Sequence, residues 1–93
     1  MKAELGNFQS VEQMDGRNGP VKNQFIIQTD KGLVFQSYST VIAAKIEGKV
    51  YLDANSWDYS VTTGKYRNLF LGESKAETEK KIKNGIYQLV NLN

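Results

Sequence analysis

Ninety-three residues suffice for one domain and one compact core. Twelve basic and ten acidic residues give a net charge of +2, which excludes a strongly acidic DNA mimic and a strongly basic nucleic-acid binder alike. There is no Cys and no His, so disulfides, thiolate or zinc sites and Ser-His-Asp or Cys-His nucleophiles are excluded, and packing must hold the fold.

In chain order, Leu5, Phe8, Val11 and Met14 recur by threes. That spacing fits a short helix weakened by Gly6, with an edge strand around Phe8 as the rival reading. "DGRNGP" marks a turn. From Asn23 onward the pattern is that of strands: "NQFIIQT" and "LVFQSY" flank "DKG", with Gly32 free to take positive φ, and "STVIAAKI" meets "KVYLD" across "EG". Alternation puts Ile42, Ala44 and Ile46 on one face, continued by Val50 and Leu52. Tyr66, Leu69 and Phe70 then have helical spacing, predicting a helix from Val61 to Leu71 with Ser60 or the Thr pair as N-cap and Gly72 as its stop. A capping box of Ser74 and Glu77 opens a second helix over 75–84, ended by Gly85, with Ile86 folding back over the cap. "IYQLVNL" supplies a last strand.

The expected fold is α+β in a single domain over 1–93. Residues 1–22 are read as an N-terminal extension. The core, 23–93, is a small antiparallel sheet, a meander of about four strands plus a C-terminal strand, with two short helices packed on one face. The longest apolar run, "TVIAAKI", falls far short of the ~20 residues of a membrane span, and "MKAELGNFQS" has no signal-peptide core. A cytoplasmic protein without membrane contact is expected.

No catalytic residue, metal ligand or cofactor is expected. Asp53 and Asp58 are the closest carboxylates, and turn capping suits both. "TTGKY" fails as a phosphate loop because Tyr59 stands where the first Gly belongs and Tyr66 where Ser or Thr belongs. Glu77–Lys81 and Glu79–Lys83 have the spacing of self-paired helix charges. Lys75 and Lys80 remain, and could join Lys65 and Arg67 in a weak, salt-sensitive phosphate patch. Trp57 reads either as a lid over the sheet or, with Tyr59 and Arg67, as an exposed aromatic cluster of the kind that anchors partners. The partner-binding candidates are therefore Trp57, Tyr59, Lys65, Arg67, Lys75 and Lys80.

Taken together, "FQSYSTVIA", "WDYSVTTGKYRNLFLG" and "TEKKIKNGIYQLVNL" resemble a family of small, mostly uncharacterised proteins encoded by bacteriophages and mobile elements of gut and Gram-positive bacteria. The resemblance covers roughly residues 33–92. Many relatives carry His where this chain has Tyr66, so chemistry at that position does not transfer. The resemblance implies an accessory protein in a bacterial cytoplasm that binds a host macromolecule. The leading expectation is a non-enzymatic inhibitor of a nuclease-based host defence, such as a CRISPR effector, acting by surface occlusion. The alternative is a small nucleic-acid-binding accessory protein using Lys65, Arg67, Lys75 and Lys80.

Overall fold

The computed structural model describes residues 5–16 and 19–93. The centre of the "DGRNGP" turn, residues 17–18, lies outside the described residues. Strands β1 (Phe8–Gly16), β2 (Gly19–Thr29), β3 (Gly32–Ser37), β4 (Thr40–Ile46) and β5 (Lys49–Asp53) precede helices α1 (Val61–Leu71) and α2 (Lys75–Lys83), and β6 (Gln88–Val90) follows. All six strands form one sheet in sequential order. The expectation of a four-strand meander plus one strand is thereby corrected. The sheet has six strands, and it is mixed, because β6 runs parallel to β5. The two helices between them supply the crossover that a parallel neighbour requires.

The extra strand is β1, which resolves the ambiguity of its threefold spacing. β1 pairs with β2, and the register slips between Phe8 and Ser10, leaving Gln9 as an extra residue. One inserted residue puts Phe8 and Val11 on the same side of the sheet, as a helix would, without any helix. Met14 then falls on the other side, in contact with the core beneath the helices.

The same device divides β4. Phe35 pairs with Ala43 but Gln36 pairs with Val41, so Ile42 is a bulge residue. Both Ile42 and Ala43 turn toward the helices, joining Phe35, Leu52, Tyr66, Phe70 and Tyr87 in the larger core. Ala44 and Ile46 face the opposite way and pack with Val34, Val90 and Leu92. The single face expected for Ile42, Ala44 and Ile46 is thus two faces, since a bulge breaks period-two alternation. Val50 and Leu52 belong with Ile42.

The turns follow local chemistry. Glu47 and Gly48 both take positive φ, 51° and 80°, as a two-residue hairpin of type I′ requires. Gly32 takes a positive φ, 158°, as expected, and a Cβ there would also collide with the Lys45 carbonyl of the neighbouring strand.

Two polar clasps fasten the elements after the meander. Glu73, between the helices, accepts hydrogen bonds from the Tyr87 hydroxyl (2.6 Å), the Thr78 hydroxyl (2.8 Å) and the Lys81 ammonium (2.8 Å). This explains why Tyr87 is buried while Ile86, expected over the helix cap, is exposed. It also takes Lys81 away from Glu77, whose carboxylate instead closes the Ser74 capping box. Neither Glu77–Lys81 nor Glu79–Lys83 is among the ion pairs of the described residues.

The second clasp holds the C-terminus. The Leu92 amide donates to the Asp53 carboxylate (3.0 Å), and the Asn93 side chain both accepts from the Val41 amide (2.7 Å) and donates to its carbonyl (2.9 Å). Burial disfavours the Asp53 carboxylate, but the Leu92 amide, the Ser56 hydroxyl, Asn93 and the Asn55 amide outweigh it and hold its pKa below the usual carboxyl value. Glu73 is likewise held low, burial being outweighed by Lys81, Tyr87 and Thr78.

Both carboxylates bind protons more weakly folded than unfolded. Their stabilisation is therefore complete above the unfolded pKa, about 4, and is lost as pH falls through the lower folded value. Asp53→Ala should cost about 1–3 kcal/mol at neutral pH by orphaning the Leu92 amide. Urea unfolding followed from pH 6 to pH 2 should show a shallower acid decline for this variant than for the parent chain.

Candidate functional site

The candidate site grows from the loop between β5 and α1. The Asp53 carbonyl accepts from the Ser56 amide (3.2 Å) and the Trp57 amide (3.0 Å), turning the chain out of the sheet. Ser60, with extended backbone, accepts from the Thr63 amide (3.1 Å) and starts α1. Gly72, in the left-handed region, ends it. The inward face of α1 is Thr63, Tyr66, Arg67 and Phe70, at spacings of three and four. The Thr63 hydroxyl shares a buried hydrogen bond with Ser37 of β3 (3.1 Å).

Arg67 is the unusual member of that face, only 1% exposed. Its guanidinium donates to the Trp57 carbonyl (2.8 Å), to Asp58 (3.3 Å) and to the Asn68 side chain (2.8 Å). It also lies 5.2 Å from the Trp57 ring, a cation–π arrangement. Its Nε has no hydrogen-bond partner among the described residues. A planar fork with several donors suits this role, since one side chain can close a loop carbonyl, a carboxylate and a ring face together. Asp58 passes the connection on, its second oxygen lying 2.7 Å from the Lys75 ammonium at the start of α2. The Lys75 hydrogen bond is the main reason that Asp58 ionises at lower pH than usual, opposed by burial and supported by Arg67.

Over this pinned loop lies an open groove of about 780 Å³. Arg67 and Gly64 form its floor, and Asp58, Val61, Lys65, Leu69 and Lys75 contribute to its walls. The outer stripe of α1 supplies large apolar groups: Val61 is 93% exposed and Leu69 57%. Tyr59, just before the helix, is 66% exposed.

Several sequence-level candidates are rearranged. Arg67 is buried structure and cannot join an exposed patch. Lys75 is engaged by Asp58. Lys65 is exposed beside the Tyr66 ring (5.4 Å), and Lys80 is exposed without an ion-pair partner among the described residues. The four-cation patch is therefore not assembled. Trp57 is half-buried against the core with Arg67 on its ring, which favours the lid over the exposed platform. Tyr59 remains on the surface. Leu69, expected in the core, points outward, because the helix buries the Tyr66–Arg67–Phe70 side. Val61, Gly64, Asp58 and Leu69 are groove residues that spacing alone did not reveal. The available signal was Val61 directly after the N-cap, where a core-facing phase is not yet set.

Residues 9–85 match the family of unknown function DUF8033. The chain belongs to that family. The family match spans β1 through α2 and so contains every groove residue. No curated protein and no solved structure matches the chain. Among the described residues no helix is long and apolar enough to cross a membrane, and no three His, Cys, Asp or Glu residues cluster as a metal site would require.

Gly64 separates folding from function. It is interior to α1, where Gly costs about 1 kcal/mol relative to Ala. A Cβ there would meet the Arg67 guanidinium at 3.6–3.9 Å, ordinary contact distances. Gly64→Ala should therefore raise stability by about 0.5–1 kcal/mol in urea melts. Arg67→Met should lower it by about 1–3 kcal/mol by stranding the Trp57 carbonyl. The lone Trp should report that loss as a shift in fluorescence.

Proposed function

We propose that this protein is a non-catalytic binding module that occupies a protein partner with the outer face of α1 and the groove beside it. One observation carries the reading: Val61 and Leu69 are apolar and exposed at one groove on a helix whose inward face is already satisfied by other residues, with Tyr59 exposed just before that helix. Apolar side chains gathered at a groove and rimmed by charged groups have the composition of an interface centre with a polar edge. Lys65 on the rim suits a partner that brings a carboxylate beside its apolar groups. The absence of His and Cys supports binding over catalysis.

Within that reading, the resemblance of residues 33–92 to phage and mobile-element proteins supports a host target in a bacterial cytoplasm. The protein would then block a nuclease-based defence by covering a surface of its effector. The nucleic-acid alternative has weaker footing, since Arg67 is buried and Lys75 is neutralised by Asp58. It must rely on Lys65 and Lys80, too few charges for firm phosphate binding.

Affinity capture from bacterial host lysate tests the reading. The parent chain should retain one stoichiometric protein, and Val61→Glu/Leu69→Glu should lose it while melting normally. Equal retention by both chains contradicts the groove as the binding surface. Recovery of nucleic acid with a steep salt dependence would transfer support to the alternative.

A further inference from the structure

Arg67, at the floor of the α1 groove, is a buried cation whose charge is answered only in part. Two of its hydrogen bonds end on neutral oxygens, the Trp57 carbonyl (2.8 Å) and the Asn68 side chain (2.8 Å). The carboxylate it touches, Asp58, lies at 3.3 Å and makes its closer contact, 2.7 Å, with Lys75. Among the described residues its Nε meets no acceptor at all. Native proteins rarely leave a buried donor in that state, and a bound group is one of the physical reasons for it.

Gly64 supplies a second, independent observation. It stands inside α1, where glycine is unfavourable, yet its backbone has no positive φ that would call for it. Packing does not call for it either. Outside the helix's own backbone, the three atoms nearest to its absent Cβ are Nη2, Nη1 and Cζ of Arg67, at 3.6, 3.7 and 3.9 Å. Both residues line the groove, so the space that a methyl group would fill is the approach to the charged end of Arg67.

We propose that this space is the seat of one carboxylate of the protein partner, borne on an aspartate or glutamate side chain with apolar residues beside it. The inference rests on the reading of the groove as a binding surface and names the group that anchors there. An oxygen in the place of the absent Cβ reaches Nη2 by settling inward roughly 0.8 Å, to the ~2.8 Å of a charge-assisted hydrogen bond. The planar guanidinium matches a planar carboxylate. Asp58 in the wall repels a second negative charge, which favours a singly charged carboxylate over phosphate. Ser60 and Val61 open the first turn of α1 onto the groove, and that turn carries no acidic residue to offset the positive end of the helix dipole. Val61 and Leu69 receive the apolar neighbours, and Lys65 adds a positive charge at the rim. A groove this open suits a side chain projecting from a surface better than a free small acid, which it would not enclose.

Backbone and side-chain N–H spectra of the isotopically labelled full chain test the seat. The probe is isocaproate, a single carboxylate on an apolar body of side-chain size, compared with its neutral amide and with inorganic phosphate. Isocaproate should shift the Arg67 Nε–H and the Gly64 amide saturably, with the amide and phosphate weaker by about tenfold or more. Gly64→Ala, which should melt higher than the parent chain, should bind isocaproate about tenfold more weakly or not at all. An Arg67 Nε–H that isocaproate leaves unmoved overturns the proposal. So does equal binding of the amide or phosphate, and so does a Gly64→Ala chain that binds as the parent does. The probe needs no partner, which separates the two readings. If the probe is silent while capture still depends on Val61 and Leu69, the seat falls and the binding surface stands. If the probe binds but lysate yields no protein, the proposed protein source of the carboxylate is overturned.

Discussion

The buried guanidinium of Arg67 is the constraint on which the functional half of the molecule depends. A charge taken out of water is tolerated where it is paired and most of its donors are met. Here the partners are a carbonyl and a carboxylate from the loop after β5 and an amide oxygen from the next residue of α1. Satisfying one side chain therefore fixes the loop's path, the tilt of Trp57 and the position of Asp58. Through the Asp58–Lys75 pair it also sets α2 beside α1. The groove exists because these pieces are held apart at its base and left unfilled above it. The walls of the groove, Val61 and Leu69, contribute little to that framework.

The sheet expresses a second constraint, the extra residue in β4. By turning Ile42 and Ala43 the same way, the bulge gives the helix-side core its bulk and leaves Ala44 and Ile46 for the other side. A small domain rarely has apolar residues enough to cover two faces. This one closes the second face only in part, with Leu5 and the returning C-terminus, and leaves β1 and β2 open. The molecule thus presents two surfaces of different character: a groove rimmed by Lys65 and the Asp58–Lys75 pair on the helix side, and a strand surface behind it whose charges, Asp15, Lys49 and Asp53, lie toward its margins.

Local signals made much of this legible in the sequence. Ser60, Gly72 and the Ser74–Glu77 box mark helix ends because caps are short-range hydrogen bonds between residues a few positions apart. Strands 23–53 showed in their β-branched content and turn residues. What spacing could not show was decided at long range. Bulges at Gln9 and Ile42 exist only relative to a partner strand. The direction of β6 depends on how the helices return the chain. Arg67 read as a surface cation because arginine usually is one, and its partners are ten, nine and one residues away with no pattern joining them. Leu69 read as core because its spacing from Tyr66 fits a helix face. Which stripe is buried was set by the fit of Tyr66 and Phe70 against β3 and β4, and that left Leu69 outside.

The central claim is that a framework pinned by Arg67 presents the outer stripe of α1 as the binding surface. Amide chemical-shift mapping of the isotopically labelled chain, titrated with the partner retained in capture, addresses it most directly. The account predicts perturbations concentrated on residues 59–69 and the start of α2, with the signals of β1 and β2 unmoved. Perturbations confined to β1 and β2, with α1 silent, would contradict it.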